Sequence, residues 1–269
     1  MVGIPSGTFK KNTLRAYKST LSTFSKEFGD TPLGNIASGS ILSFLSKITD
    51  DRKPGTKRAR YAHLSAFFNF VINNIILDLK NPLDSPMLKK TFRAKAPQHW
   101  DFIEKETIDE IIFRTTKTRN RLILELMARG GMRIGEVLKL TYKDICDRKI
   151  ILRGPKSGRG NEIAFIPKRV ADRLKDYARP FGSNSDDLLF PISYEAARSI
   201  VAKAGMLVNI KLRPHDLRRH SATYASRSGV PIEVISKVIL RHVNLSTTQL
   251  YLGKINETEA MSWIDNLYR

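Results

Sequence analysis

Cysteine is almost absent: the 269 residues hold one, Cys146, which excludes an internal disulfide and supplies no second thiolate for a zinc site. Its default place is that of a small buried hydrophobe, in keeping with a reducing cytoplasm. Long apolar runs are missing too, and without a stretch of about eighteen such residues no membrane insertion is indicated. The N-terminus, Met1-Val2-Gly3-Ile4-Pro5-Ser6, has no basic segment feeding an apolar one, so secretion is not indicated either. There is no GxxxxGK[ST] loop for a nucleotide, no HExxH, and no carboxylate cluster suited to two metals; neither cofactor nor metal is expected. Zinc held by His215, His220 and His242 is disfavoured, because the helical gap between the first two turns them apart.

Acidic residues are also in short supply. Lys and Arg number 46 against 26 Asp and Glu, a formal charge of +20 with a pI near 10.1. Both halves of the chain are basic, and the excess sits in folded-looking segments rather than in a tail. A polyanion, double-stranded DNA above all, is the expected partner.

The length and the 41% hydrophobic content suit two domains. Over the first ninety residues Leu14, Tyr17, Leu21, Phe24 and Phe28 recur at the period of one helix face, and Gly29-Asp30-Thr31-Pro32 stops that helix. A second run carries Ile41, Phe44, Leu45 and Ile48, and a third, after Lys53-Pro54-Gly55, carries Tyr61, Leu64, Phe67, Phe68, Val71 and Ile72. A helical bundle over residues 1–92 is predicted. Arg52, Lys53, Lys57, Arg58 and Arg60 gather at the start of its third helix, where side chains and free amides can meet phosphates together; a solvated helix end is the plainer alternative. From Asn81-Pro82 onward the periodicity fades into an exposed basic linker, placed at residues 93–102. Extended, those residues would reach roughly 33 Å, enough for two basic domains to clamp a duplex.

A second domain, residues 103–269, is expected to start a helix on a capping box at Thr107-Ile108-Asp109-Glu110. Lys149 to Arg153 and Glu162 to Ile166 read as strands of a hairpin whose polar, glycine-rich connection carries Lys156. Helical patterns follow around 168–179, 194–204, 215–228 and 231–240. The fold expected is mainly α with a small antiparallel β-sheet. Ile255, Trp263, Ile264 and Leu267 fit an amphipathic tail helix.

The residues that can carry chemistry come in a fixed order. Arg133 follows the glycine pair Gly130-Gly131 and lies three residues before Glu136, whose carboxylate can hold the guanidinium. His215 and Arg218 repeat that spacing behind Arg213-Pro214, a proline suited to a first helical turn. His242 and Tyr251 close the set, nine residues apart. Taken singly, the ion pair or the lone histidine reads as structural; the ordered conjunction does not.

That conjunction resembles the tyrosine recombinase, or lambda-integrase, family, of the kind formed by Xer recombinases and phage integrases. The resemblance rests on Ala128 to Glu136, on Pro214-His215-Asp216-Leu217-Arg218-Arg219-His220, and on Leu240 to Tyr251, and it covers nearly the whole chain. It implies an N-terminal helical core-binding domain of SAM-like type and a C-terminal catalytic domain. It also implies a site-specific recombinase, a DNA strand-transferase that cleaves and rejoins DNA through a 3′-phosphotyrosine and a Holliday junction. Such an enzyme integrates or excises a mobile element or resolves replicon dimers. It works in the cytoplasm on the nucleoid, as a homotetramer on two DNA sites or with a related recombinase partner.

The roles it implies agree with the chemistry of the side chains. A phenol of pKa near 10 needs help to attack, so Tyr251 is the nucleophile and His215 handles its proton. Arg133 and Arg218 grip the non-bridging phosphate oxygens, His242 donates to the phosphate, and Lys156 protonates the departing 5′ oxygen. The tail is expected to dock on a neighbouring protomer or pack back in cis. Two other readings share the features: a non-catalytic or weakly active DNA-binding protein of the same fold, and a relaxing enzyme like the type IB topoisomerases. One position departs from the family pattern. Glycine usually precedes the second histidine, where this chain has Arg241, and a positive φ there would strain an arginine.

Overall fold

Aromatic residues at helical spacing build the first part of the chain. In the computed structural model, which describes residues 11–93, 102–154, 160–182, 186–252, 261 and 264–265, α1 spans Lys11–Phe28, α2 Ser38–Thr49 and α3 Pro54–Asn74. Pro54 takes the first position of α3, where its missing N–H costs nothing. The inward faces meet in one cluster centred on Phe24, Phe44, Leu64 and Phe68, with Phe24 edge-on to Phe44 at 5.6 Å between ring centroids.

The expected fading of structure after residue 81 does not occur. Pro82–Asp84 forms a 3-10 turn and Pro86–Arg93 a further helix, α4, which buries Leu88 and Phe92. Phe92 stacks on Tyr61, whose hydroxyl donates to the Leu83 carbonyl at 2.8 Å. Two apolar residues four apart sufficed, once α3 offered a face to cover; a segment this short shows little periodicity by itself. The chain divides into two units, Met1–Gln98 and His99–Arg269. Of the linker proposed at 93–102, residue 93 closes α4 and residues 94–101 lie outside the described residues.

The second unit is mainly helical with a small sheet. Its core is α6, Thr118–Ala128, buried without a break from Leu122 to Ala128. The one carboxylate in that stretch, Glu125, is met by Arg173 at 2.5 Å, so the buried charge is paired. Around α6 lie α5 (Lys105–Arg114), α8 (Lys168–Ala178), α9 (Tyr194–Met206) and α10 (Pro214–Arg227). Helix α5 begins a turn before the predicted capping box. Ile108, Ile111 and Ile112 are all buried on one face, the Ile108 N–H already bonds to Glu104 O at 3.2 Å, and Glu110 pairs with Arg114 instead.

The sheet has three antiparallel strands in the order β1 (Ile145–Cys146), β2 (Lys149–Leu152), β3 (Glu162–Phe165), with Ile150 opposite Ala164. Ile150, Leu152 and Ala164 face the core, while Ile163 and Phe165 face outward. The two-residue β1 was too short to read from sequence. It places Cys146 on the surface, which corrects the expectation of burial: Ile145 takes the inward position, and alternation turns its neighbour out.

The stretch expected to be one helix over 231–240 is broken. A single α turn, Ile232–Val234 (α11), runs into a π-helix at Ile235–Ile239, where the Leu240 N–H bonds to Ile235 O at 2.8 Å. The chain then turns, and α12, Leu245–Leu252, follows. Of the amphipathic tail only Met261, Ile264 and Asp265 are described, and Met261 and Ile264 are exposed; Ile255, Trp263 and Leu267 lie outside the described residues. No helix among the described residues is long and apolar enough to cross a membrane.

Candidate active site

The site begins at a glycine turn. Gly131 has φ +58°, and a Cβ there would meet Ile239 O at 2.7 Å, so only glycine lets the end of α6 approach the π-helix this closely. Two residues on, Arg133 caps the single-turn helix α7, Ile134–Val137. Glu136 answers in both directions: Oε2 accepts from the Arg133 backbone N–H at 2.8 Å and Oε1 from its Nη1 at 2.5 Å. The expected pairing is therefore present, with Arg133 as the cap of the helix rather than as a residue within it. Only a quarter of the Arg133 side chain is exposed, which leaves one edge of the guanidinium for a ligand.

Arg218 sits four residues into α10, behind Arg213, Pro214 and Asp216. Asp216 closes the capping box, accepting from the Arg213 backbone N–H at 2.9 Å and from Arg219 at 3.2 Å. Arg218 is 1% exposed, and its two terminal nitrogens donate to the carbonyls of Gly131 and Leu240. One guanidinium thus ties the turn before Arg133 to the turn before His242. His215, one helical turn earlier, is exposed.

Arg241 occupies the left-handed region at φ 50°, a placement that costs a residue with a Cβ about 1–2 kcal/mol. The strain foreseen at this position is present. Its side chain is 4% exposed and does not turn to solvent: it reaches Glu136 Oε2 at 2.9 Å, Gly131 O at 3.2 Å, Ile239 O at 2.8 Å and Glu162 Oε2 at 3.7 Å. Burial would push the Glu136 carboxyl up, but Arg241, and after it Arg133, hold it below the usual carboxylate range.

His242 is half-buried, anchored by its backbone N–H to Ser236 O at 2.8 Å. Its Nδ1 lies 3.0 Å from Thr248 Oγ1, which lies 2.9 Å from Ser236 Oγ. Thr248 is fully buried on α12, so this chain of hydroxyls pins the helix three residues before Tyr251. Tyr251 belongs to α12; its side chain is outside the described residues, as is the whole of Lys156. Loss of solvation, then the charges of Arg218, Arg133 and Arg241, lower the His242 pKa from 6.5 to about 4.

A pH dependence follows. Between pH 6.5 and 4 an unfolded chain takes up a proton at residue 242 that the folded site refuses. Stability without DNA is therefore expected to fall across that window and to level off below it, whereas above pH 6.5 this group contributes no slope. His220, lowered chiefly by burial, adds in the same direction. Chemical denaturation at pH 7, 5 and 4 checks this, with His242→Asn expected to flatten the profile and an unaltered slope in that variant counting against it.

The third histidine has a separate occupation. The Nδ1 of His220 lies 2.8 Å from Ile103 O, and its ring stacks with those of Phe102 and Tyr224. Among the described residues no cluster of His, Cys, Asp or Glu is arranged to hold a metal. In the first unit, Arg52, Lys53 and Arg58 are exposed and Lys57 is half-buried, whereas Arg60 turns inward to Thr20 Oγ1 at 2.7 Å and Ser19 Oγ at 3.2 Å. Three participants carry no signal in the sequence: Arg241 as a structural partner, Thr248 and Ser236. Thr248 lies between His242 and Tyr251, where threonine spacing gives no sign of burial.

The geometry has counterparts in known proteins. Residues 101–257 match the phage integrase family. The chain belongs to that family of tyrosine recombinases. This recombinase is 30% identical over 256 residues to the tyrosine recombinase XerA of Pyrococcus horikoshii, covering 90% of its own length and 82% of the relative's. Its fold resembles that of the Tn1549 transposon integrase in complex with transposon right end DNA, at a TM-score of 0.76 and 16% identity over 98% of this chain and 96% of the other. It also resembles the XerH site-specific recombinase bound to palindromic difH substrate in a post-cleavage complex, with TM-score 0.74, 21% identity, and coverage of 93% and 79%. The recombinase is accordingly a DNA strand-transferase.

Proposed function

We propose that this recombinase is site-specific, breaking and rejoining duplex DNA through a 3′-phosphotyrosine at Tyr251 and exchanging strands through a Holliday junction. It would act as a homotetramer on two DNA sites, on the nucleoid in the cytoplasm, to integrate or excise a mobile element or to resolve replicon dimers. The observation that carries the reading is the buried guanidinium cluster. Arg133 and Arg218 are tied to Glu136 and to two turn carbonyls, and His242 and pinned α12 stand beside them. Fixed cations of this kind stabilise a phosphorane without reorganising when charge develops on its equatorial oxygens.

In the forward step the Tyr251 oxygen forms a bond to phosphorus and passes its proton to His215, while the bond to the 5′ oxygen breaks and Lys156 delivers a proton to that oxygen. Arg133 and Arg218 neutralise the non-bridging oxygens. His242, set in place by the contact of its Nδ1 with Thr248 Oγ1, whose hydroxyl donates to Ser236 Oγ, is assigned the hydrogen bond to the phosphate. Rejoining reverses these steps with the 5′ hydroxyl of another strand. Arg52, Lys53, Lys57 and Arg58 are the phosphate contacts assigned to the first unit, where Arg60 supports α1.

The test starts from a DNA site selected out of a random library by the Tyr251→Phe protein. A supercoiled plasmid carrying two copies of that site should yield recombinant circles or deletions. Relaxation alone would favour a topoisomerase-like enzyme, and salt-sensitive binding with neither product a non-catalytic protein.

A further inference from the structure

Arg241 pays for its place with a strained backbone and a desolvated charge, so its contacts have a claim to function. It shares one acceptor with each of the arginines assigned to the phosphate: Glu136 with Arg133, and the Gly131 carbonyl with Arg218. From the same side chain a longer contact runs to Glu162 at the start of β3, the strand that follows the Lys156 segment in sequence. Glycine at this position would satisfy the backbone and make none of these contacts.

We propose that Arg241 is a positioning residue for strand cleavage, which locks the Arg133–Glu136 pair and the Gly131 turn together and leaves the phosphate pocket with a net positive charge. The inference rests on the assignment of Arg133 and Arg218 to the scissile phosphate. Among the described side chains joined here, three guanidiniums, of Arg133, Arg218 and Arg241, stand against two carboxylates, of Glu136 and Glu162, an excess of one positive charge. Without Arg241 that excess is gone, and Glu136 is shared with no one but Arg133. The charge of Arg241 is the largest single influence holding the Glu136 carboxyl low against its burial, beside the backbone and side-chain hydrogen bonds and the charge of Arg133, so both arginines keep ionised the carboxylate that aims Arg133. The device is absent wherever the family's usual glycine stands, because glycine has no side chain to supply it.

The experiment compares wild type with Arg241→Gly, Arg241→Lys and Arg133→Ala by single-turnover formation of the protein–DNA adduct on nicked duplexes. The duplexes carry either a normal scissile phosphate or a methylphosphonate, in which a methyl group replaces one charged oxygen. Arg241→Gly suits the left-handed turn, and thermal melting of each variant verifies that it folds. On the normal phosphate Arg241→Gly should slow adduct formation by about 10²-fold, the scale of a misplaced transition-state contact. On the neutral methylphosphonate, which asks for less positive charge, its rate should stay within about 10-fold of wild type. Arg241→Lys, which keeps the charge, should recover most of the rate on the normal phosphate, and it carries the comparison if the glycine variant melts early. Equal losses on both substrates would mark Arg241 as merely structural, and no loss would give it no part in cleavage; either overturns the proposal. If instead wild type forms no Tyr251-dependent adduct, or Arg133→Ala cleaves normally, the assignment of the phosphate site fails and the inference falls with it.

Discussion

Arg218→Ala is expected to lose both cleavage and stability. The guanidinium is buried and serves two carbonyls, at Gly131 and Leu240, from turns that Arg241 also bridges through Gly131 and Ile239. Leaving the Leu240 carbonyl without this donor costs about 1–3 kcal/mol, and the Gly131 carbonyl, left with Arg241 alone, adds a smaller loss, so the variant should unfold about 2–4 kcal/mol more easily. Adduct formation should fall by at least about 10³-fold, because a preorganised cation on the phosphate is lost together with the geometry of both turns. Arg218→Lys separates the two effects. A single ammonium cannot fork to both carbonyls, yet it keeps the charge, so stability should recover further than rate. Urea melts and single-turnover rates on one preparation decide it. An Arg218→Ala protein with the wild-type midpoint would mean that the two turns do not lean on this side chain.

Glu136→Ala should be as damaging from the opposite charge. Its carboxylate is the shared acceptor for Arg133 and Arg241, at 2.5 Å and 2.9 Å. Removing it leaves two cations mostly out of water with Glu162 as the nearest compensation for one of them, and breaking a buried pair in this way costs about 3–5 kcal/mol. Glu136→Gln keeps the shape and one acceptor oxygen, and should retain about half of that loss or less. Both variants should cleave slowly, since Arg133 loses what aims it. Midpoints for the alanine and glutamine variants that coincide with wild type would show the carboxylate to be dispensable.

Much of this was legible because helical period and ordered polar residues are local properties of a chain. Helices α1, α2 and α3 formed over the runs that Leu14, Ile41 and Tyr61 open, and the β2–β3 pairing followed from two short apolar stretches. The candidate catalytic residues were proposed from their order together with its resemblance to the family. What sequence could not give is what brings position 241 to position 136, or Thr248 against Ser236, since those approaches depend on the π-helix at 235–239 and on a φ that no spacing reveals. The π-helix itself hides inside a good helical pattern, because one widened turn leaves the apolar period nearly intact. Helix α4 and strand β1 were missed for the opposite reason: each is too short to carry a period.

The central claim is that Tyr251 attacks a phosphate held by this arginine cluster, and it is tested most directly by covalent trapping with peptide mapping. Wild-type protein is incubated with the selected nicked duplex, denatured, digested with a protease, and the DNA-linked peptide is identified by mass spectrometry. The account predicts a denaturant-resistant adduct whose peptide contains Tyr251 joined to a 3′ phosphate, absent from the Tyr251→Phe protein. An adduct that survives Tyr251→Phe, or one mapped to another residue or to a 5′ phosphate, would contradict it.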